Sequence, residues 1–210
     1  MAAVAVSFAA AGGDLLTGTA SLIGVTALIF VAKGHVFGQV LTVVFSLFYA
    51  VVSYSFRYYG EMITYLGMTT PIAAMAVISW LRHPFEAGKP EVAVAKLSRR
   101  QMVMMWLLTV VVTAFFYWVL CVLDTPNLIV STVSIITSFA ASYLMLFRSP
   151  WYAVAYACND LVLIVLWILA AAHETRYICM VICFCAFFVN DLYGFINWRR
   201  MERRQKSIVK

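Results

Sequence analysis

The chain has 210 residues, 64% of them hydrophobic and 11% charged, with a mean hydropathy of +0.93. Soluble domains run roughly half apolar and a quarter charged, so this composition excludes a soluble enzyme or binding domain and requires a polytopic membrane protein. The net charge of +6 has to be placed relative to the bilayer before it is read as a nucleic-acid signal, and no nucleic-acid partner is expected.

Residues 1–16 form an N-terminal segment. Its run AAVAVSFAAAGGD lacks a basic start and is short, so it is not read as a cleaved signal. A spanning helix needs about 20 mostly apolar residues, and seven stretches qualify: 17–33, 36–55, 60–81, 101–123, 127–147, 150–172 and 176–198. The one long connection, 84–100, is basic at both ends, and 201–210 is a basic tail. With the C-terminus cytoplasmic, thirteen of the 15 Lys and Arg fall inside, and only Arg57 and Arg176 fall outside. The expected topology is therefore N-terminus outside, C-terminus inside.

Two short matches point to a duplication. ISWLRHP (from Ile78) closes the third span and INWRRME (from Ile196) the seventh; SLIGVTALIF (from Ser21) and STVSIITSFA (from Ser131) open the first and fifth. The expected fold class is an all-α integral membrane protein of seven helices. Repeats at 17–83 and 127–200 run parallel, joined by a linker helix at 101–123. Transporters of this layout hold substrate between the repeats near the midplane.

Of nine acidic residues, seven are assigned to loops or tails, which leaves Asp160 and Asp191 within spans six and seven. A carboxylate at the helix centre costs at least about 2.5 kcal/mol and needs a cavity or a partner. Each follows an asparagine, Asn159 and Asn190. The competing role for such groups is an interhelical lock, assigned here to Asp191 because it lies nearer the helix end and Arg199. Helical spacing places Asn190, Gly194 and Asn197 on one face with Tyr193 alongside, and Tyr152, Tyr156, Asn159, Asp160 and Trp167 on another. Span two carries Gln39, Thr42, Ser46, Tyr49 and Ser53, and span five a serine stripe from Ser131 to Ser142. Amides and a carboxylate suit hydroxyls or a carboxamide, and aromatic faces suit a cationic ring. The expected substrate-binding set is Asn159, Asn190, Asp160, Trp167, Tyr156, Tyr193, Gln39 and Tyr49. Pro71 in span three is a candidate pivot. Cys179, Cys183 and Cys185 share a span without a His or carboxylate at ligand spacing, so they are read as packing residues and no metal or cofactor is expected. His35, His83 and His173 lie in loops and share no motif, so no enzyme is expected.

NDLYGFINWRRM (from Asn190), AYACNDLVLIVLW (from Ala155) and GEMITYLGMTTPIAAMAVISW (from Gly60) resemble the PnuC family of bacterial nicotinamide riboside transporters. The resemblance spans Ser21 to Met201 and implies a fold related to the SWEET sugar transporters. It implies vitamin B3 riboside uptake across a bacterial cell membrane by facilitated diffusion with alternating access, trapped by cytoplasmic phosphorylation. It further implies a ligand site at Asn159 and Asn190 with nearby aromatics, and a homo-oligomer, often a trimer. The third helix departs from the family's P-M-Q-x-x-G-W-x-x-W: Ala73 stands in the Gln place and Val77 in that of the first Trp. Either Gln39 supplies the missing amide or the cargo differs. Thiamine, less so riboflavin, stays open as cargo, as does proton-coupled symport through Asp160.

Overall fold

The computed structural model describes residues 15–55, 58–86, 88–173 and 175–208; the N-terminal segment falls almost wholly outside them. Seven helices follow in order: α1 Leu15–Ala32, α2 Val36–Ser55, α3 Tyr59–Leu81, α4 Arg99–Val122, α5 Leu128–Leu146, α6 Tyr152–Ala171 and α7 Ile178–Ile208. Helices dominate because a spanning segment must satisfy its own backbone N–H and C=O groups where no water can. Helices occupy all seven expected segments among the described residues; six are long and apolar enough to cross a membrane, and α1 is a shorter apolar helix. The last helix runs about ten residues further than expected, because its basic end is docked rather than free.

Six helices close a ring, in the order α1, α2, α3, α5, α6, α7 and back to α1. Helix α4 stands outside it against α5, and with 22% of its span buried it is the least covered of the long helices. A capping box starts it: Ser98 Oγ accepts from Gln101 N–H at 3.2 Å and Gln101 Oε1 accepts from Ser98 N–H at 2.8 Å. The tight α1–α2 turn needs two glycines. Gly34 has φ +67°, and a Cβ on Gly38 would come 2.5 Å from the Val31 backbone nitrogen.

The repeats exchange hydrogen bonds at the end of the bundle rich in Lys and Arg. Trp80, closing α3, donates its indole N–H to the Met145 carbonyl of α5 at 3.1 Å, and Ser79 donates to Leu146. In the same pattern Trp198 of α7 donates to the Val31 carbonyl of α1 at 2.9 Å, and Asn197 donates to Ala32 at 2.8 Å. The two fully buried indoles meet with centroids 5.4 Å apart. The duplicated SW and NW pairs are therefore reciprocal clasps across the two seams between repeats.

Beyond the clasps, the 84–100 connection is strapped across the basic end. Val92 donates to Gly34, and Gln205 of α7 accepts from the Val94 N–H at 2.8 Å while donating to Val92 and Glu91. Residues 201–208, expected as a tail, are helical and hold this strap. Replacing Trp198 with alanine should cost about 3–5 kcal/mol, and replacing it with phenylalanine about 1 kcal/mol for the lost N–H bond. Thermal unfolding in detergent should rank wild type, Phe, then Ala.

Candidate functional site

Helix α3 changes pitch where it lines the interior. Residues Tyr65–Thr69 form a π turn, with the Thr70 N–H reaching the Tyr65 carbonyl. Pro71 follows immediately and has no N–H to continue the ordinary ladder. Thr70 Oγ1 also donates to the Tyr65 carbonyl and lies 2.7 Å from Ser46 Oγ on α2, which ties the altered turn to its neighbour. π turns of this kind concentrate at functional sites, and here Tyr65 and Thr69 face a central cavity.

The cavity, ≈ 60 Å³, is lined by all six ring helices: Gly24 from α1, Thr42 and Phe45 from α2, Tyr65 and Thr69 from α3, Ser138 and Met145 from α5. Helix α6 adds Tyr156, Asn159 and Asp160, and α7 adds Phe184, Phe187 and Asp191. That volume holds a few waters. Along the bundle axis it lies between two aromatic layers. At the basic end are Trp80, Trp198 and Tyr152, the last 4.9 Å from Trp198 between centroids. Toward the opposite end Tyr58, Trp167 and Tyr177 pack at centroid distances of 5.1 to 6.1 Å.

The polar groups of the cavity are organised. Thr137 donates to Asn159 Oδ1 at 2.8 Å, so the Asn159 amide nitrogen is the group left to the interior. The Tyr156 hydroxyl is 2.9 Å from Ser142 Oγ. Asp160 and Asp191 come within hydrogen-bonding reach of each other, and Asp160 Oδ2 is buried without a further partner. Two carboxyls together in apolar surroundings need a proton or a cation to balance them. Among the described residues no Lys, Arg or His lines this cavity.

The structure separates the expected set. Asn159, Asp160 and Tyr156 line the cavity. Gln39 is buried, with Nε2 unpartnered, and faces a smaller hollow shared with Ala73 that meets the cavity at Thr42, Thr69, Met145 and Tyr156. Tyr49 packs against Tyr65 at 4.2 Å, one shell out from the wall. Trp167, seven residues along α6 from Asp160, belongs to the aromatic layer. Asn190 is half-buried with Nδ2 buried and unpaired, beside the wall rather than in it. Tyr193 is 48% exposed on the outer face.

Helix rotation explains the shift on α7. Its inward stripe is Phe184, Phe187, Asp191, Gly194 and Trp198, which turns Tyr193, about 200° from Asp191, outward. Asp191, expected as a structural partner, is thereby a wall residue. Glu61 is a second departure. Assigned to a loop, it lies inside α3 at 3% exposure with Oε2 buried and unpartnered. Its spacing from Tyr58 and Tyr65, three residues after one and four before the other, is the pattern that marks a shared inner face. Cys179 and Cys183 are buried and Cys185 is exposed, so the three cysteines do not converge.

Comparison with known proteins adds the family. Residues 14–200 match the family model described as nicotinamide mononucleotide transporter. The nicotinamide riboside transporter PnuC of Neisseria mucosa is 26% identical over 196 residues, 91% of this chain and 74% of that protein. Its namesake from Haemophilus influenzae is 23% identical over 182 residues, 86% and 77% of the two chains. A crystal structure of the vitamin B3 transporter PnuC superposes with a TM-score of 0.82 at 25% identity, covering 96% of this chain and 88% of that one. With the family model matching nearly the whole of the ring and its linker, the chain belongs to the nicotinamide mononucleotide transporter family, a family of membrane transporters rather than enzymes.

Proposed function

We propose that the protein carries nicotinamide riboside across a bacterial cell membrane, with the basic end of the bundle in the cytoplasm. One observation bears most of the weight: the cavity offers two carboxyls, an amide and aromatic rings, and no cationic side chain. A mononucleotide's phosphate would enter it without a partner and face Asp160 and Asp191. The riboside lacks that phosphate and has a cationic ring, which balances the carboxyl pair and suits Tyr65, Phe184 and Phe187. The names of the Neisseria and Haemophilus relatives agree with the riboside. Thiamine, also cationic, is the nearest competitor, and uncharged riboflavin fits the carboxyls less well.

In this reading Asn159 and Asp160 bind the cargo directly, with Tyr156 and Asp191 beside them. Gln39, sharing its hollow with Ala73, supplies the amide that relatives place on the third helix. Asn190, Tyr49 and Trp167 border the site and shape it. The two aromatic layers serve as gates, and the π turn before Pro71 as the pivot. Opening inward requires the Trp80 and Trp198 clasps to part. Flux is then facilitated diffusion, drawn inward by phosphorylation of the riboside once it is inside. A homo-oligomer, a trimer in the first instance, is the expected assembly.

Purified protein should bind nicotinamide riboside more tightly than the mononucleotide, thiamine or riboflavin. Asn159→Ala and Asp160→Asn should each weaken that binding at least tenfold, about the 1.5–3 kcal/mol of a hydrogen bond involving a charged group. Tyr193→Ala should stay within about twofold of wild type, a shift below 0.5 kcal/mol. Calorimetric titration decides, and unchanged affinity in both cavity variants refutes the site.

The Asp160–Asp191 pair favours one second reading, proton-coupled symport. Liposomes with an inward proton gradient separate the two. Facilitated diffusion brings internal riboside to equality with the outside, whereas symport accumulates it above that level and loses the excess in Asp160→Asn.

A further inference from the structure

A second cavity, ≈ 470 Å³, lies outside the ring at the basic end, where α4 leaves the strap and α5 turns into α6. It shares no lining residue with the central one. Its wall has two chemistries. Met102, Met105 and Trp106 on α4, with Leu144 on α5, make a long apolar side. Lys96, Ser149 and Arg199 form the rim with Glu202.

The rim is cationic in net effect. Glu202 is taken up by Arg199 at 2.6 Å and Lys206 at 2.5 Å, so its charge is already answered. Lys96 is exposed and, among the described residues, makes no ion pair, although its charge also acts on Glu202. Arg148 precedes Ser149 in the chain without itself lining the cleft; its Nε and Nη1 are buried without a hydrogen-bond partner, and burial pushes its guanidinium pKa down. These nitrogens lack the acceptor that buried charged groups need.

Depth distinguishes the occupant. Arg99 and Arg100, which start α4, and Arg200, which follows Arg199, are close to the rim residues in sequence, so the rim belongs to the basic end of the bundle. The apolar side descends along α4, whose Met102 and Trp106 are half exposed toward the hydrocarbon. A soluble anion has no use for that side, and an uncharged lipid none for the rim. We infer that this cleft binds an anionic phospholipid, its phosphate held between Lys96 and Arg199 and an acyl chain lying on Met102, Met105 and Trp106. Basic recesses between helices at the cytoplasmic leaflet take such headgroups. Only the orientation proposed above is assumed, and cargo identity does not enter.

The test uses full-length protein, delipidated in detergent, with the melting temperature followed as lipid is added. Phosphatidylglycerol should raise it by several degrees, and phosphatidylcholine at equal mole fraction by less than half as much. Lys96→Glu should remove most of the phosphatidylglycerol increment, with Lys96→Gln as the milder variant, and Trp106→Ala should reduce it. Arg82→Glu, an exposed charge at the end of α3 and outside the cleft lining, should keep it. Millimolar inorganic phosphate should do nothing. Equal stabilisation by phosphatidylcholine, or by phosphate alone, overturns the proposal. So does an equal loss in Arg82→Glu, which means diffuse surface attraction. A change of oligomeric state in Lys96→Glu or Trp106→Ala by light scattering assigns the cleft to a second copy of the chain instead. Riboside binding measured on the same variants is independent: its failure in wild type refutes the cargo and leaves the lipid result standing.

Discussion

The fold depends on two indole hydrogen bonds that cross between repeats. In a bilayer, apolar side chains gain little by leaving lipid for one another, so helix association relies on close packing and on hydrogen bonds that hydrocarbon cannot supply. Trp80 and Trp198 provide both. Each fills space at a seam, and each ties its helix to a carbonyl at the end of the opposite repeat's first helix. Because the same device acts at both seams, the ring closes with approximate two-fold character. The duplicated tripeptide ends are thus the points at which the repeats recognise each other.

That closure determines what the interior can be. Once α7 is held by Trp198, residues two and three turns back on the same face point inward, which sends Asp191 and Phe187 into the cavity. Helix α6 brings Asp160 and Asn159 from the other side, and the π turn of α3 turns Tyr65 and Thr69 toward them. Each group is costly alone in a membrane. Together they form a small polar chamber between aromatic layers, and Thr137 and Ser142 orient the amide and the phenol. The outer helix α4 contributes nothing to this chamber. Its role is to join the repeats and to form, with the strap and α7, the amphipathic cleft at the basic end.

Much of the site was legible because polar residues in apolar helices are few and conspicuous. Asp160, Asn159 and Tyr156 stood out for that reason and reach the cavity. Gln39 drew notice as the head of the polar stripe on span two, and it shares one hollow with Ala73, which stands in the family's glutamine place. Glu61 was hidden by its place near a span boundary, where a charged residue reads as loop. The aromatic wall residues Phe45, Phe184 and Phe187 carried no signal, since phenylalanine in a membrane helix is ordinary wherever it faces.

The sequence by itself determined the membrane class, seven helices, the duplication and the uneven distribution of positive charge. These follow from composition, from span length and from local matches, all properties of the chain in one dimension. Which face of each helix looks inward was decided only in three dimensions. Spacing fixes the angle between two residues of one helix but not the rotation of that helix against its neighbours. The clasps and the ring set that rotation. They turned Asp191 in, Tyr193 out and Trp167 into an end layer, and they put Glu61, with one oxygen buried and unpartnered, inside the bundle.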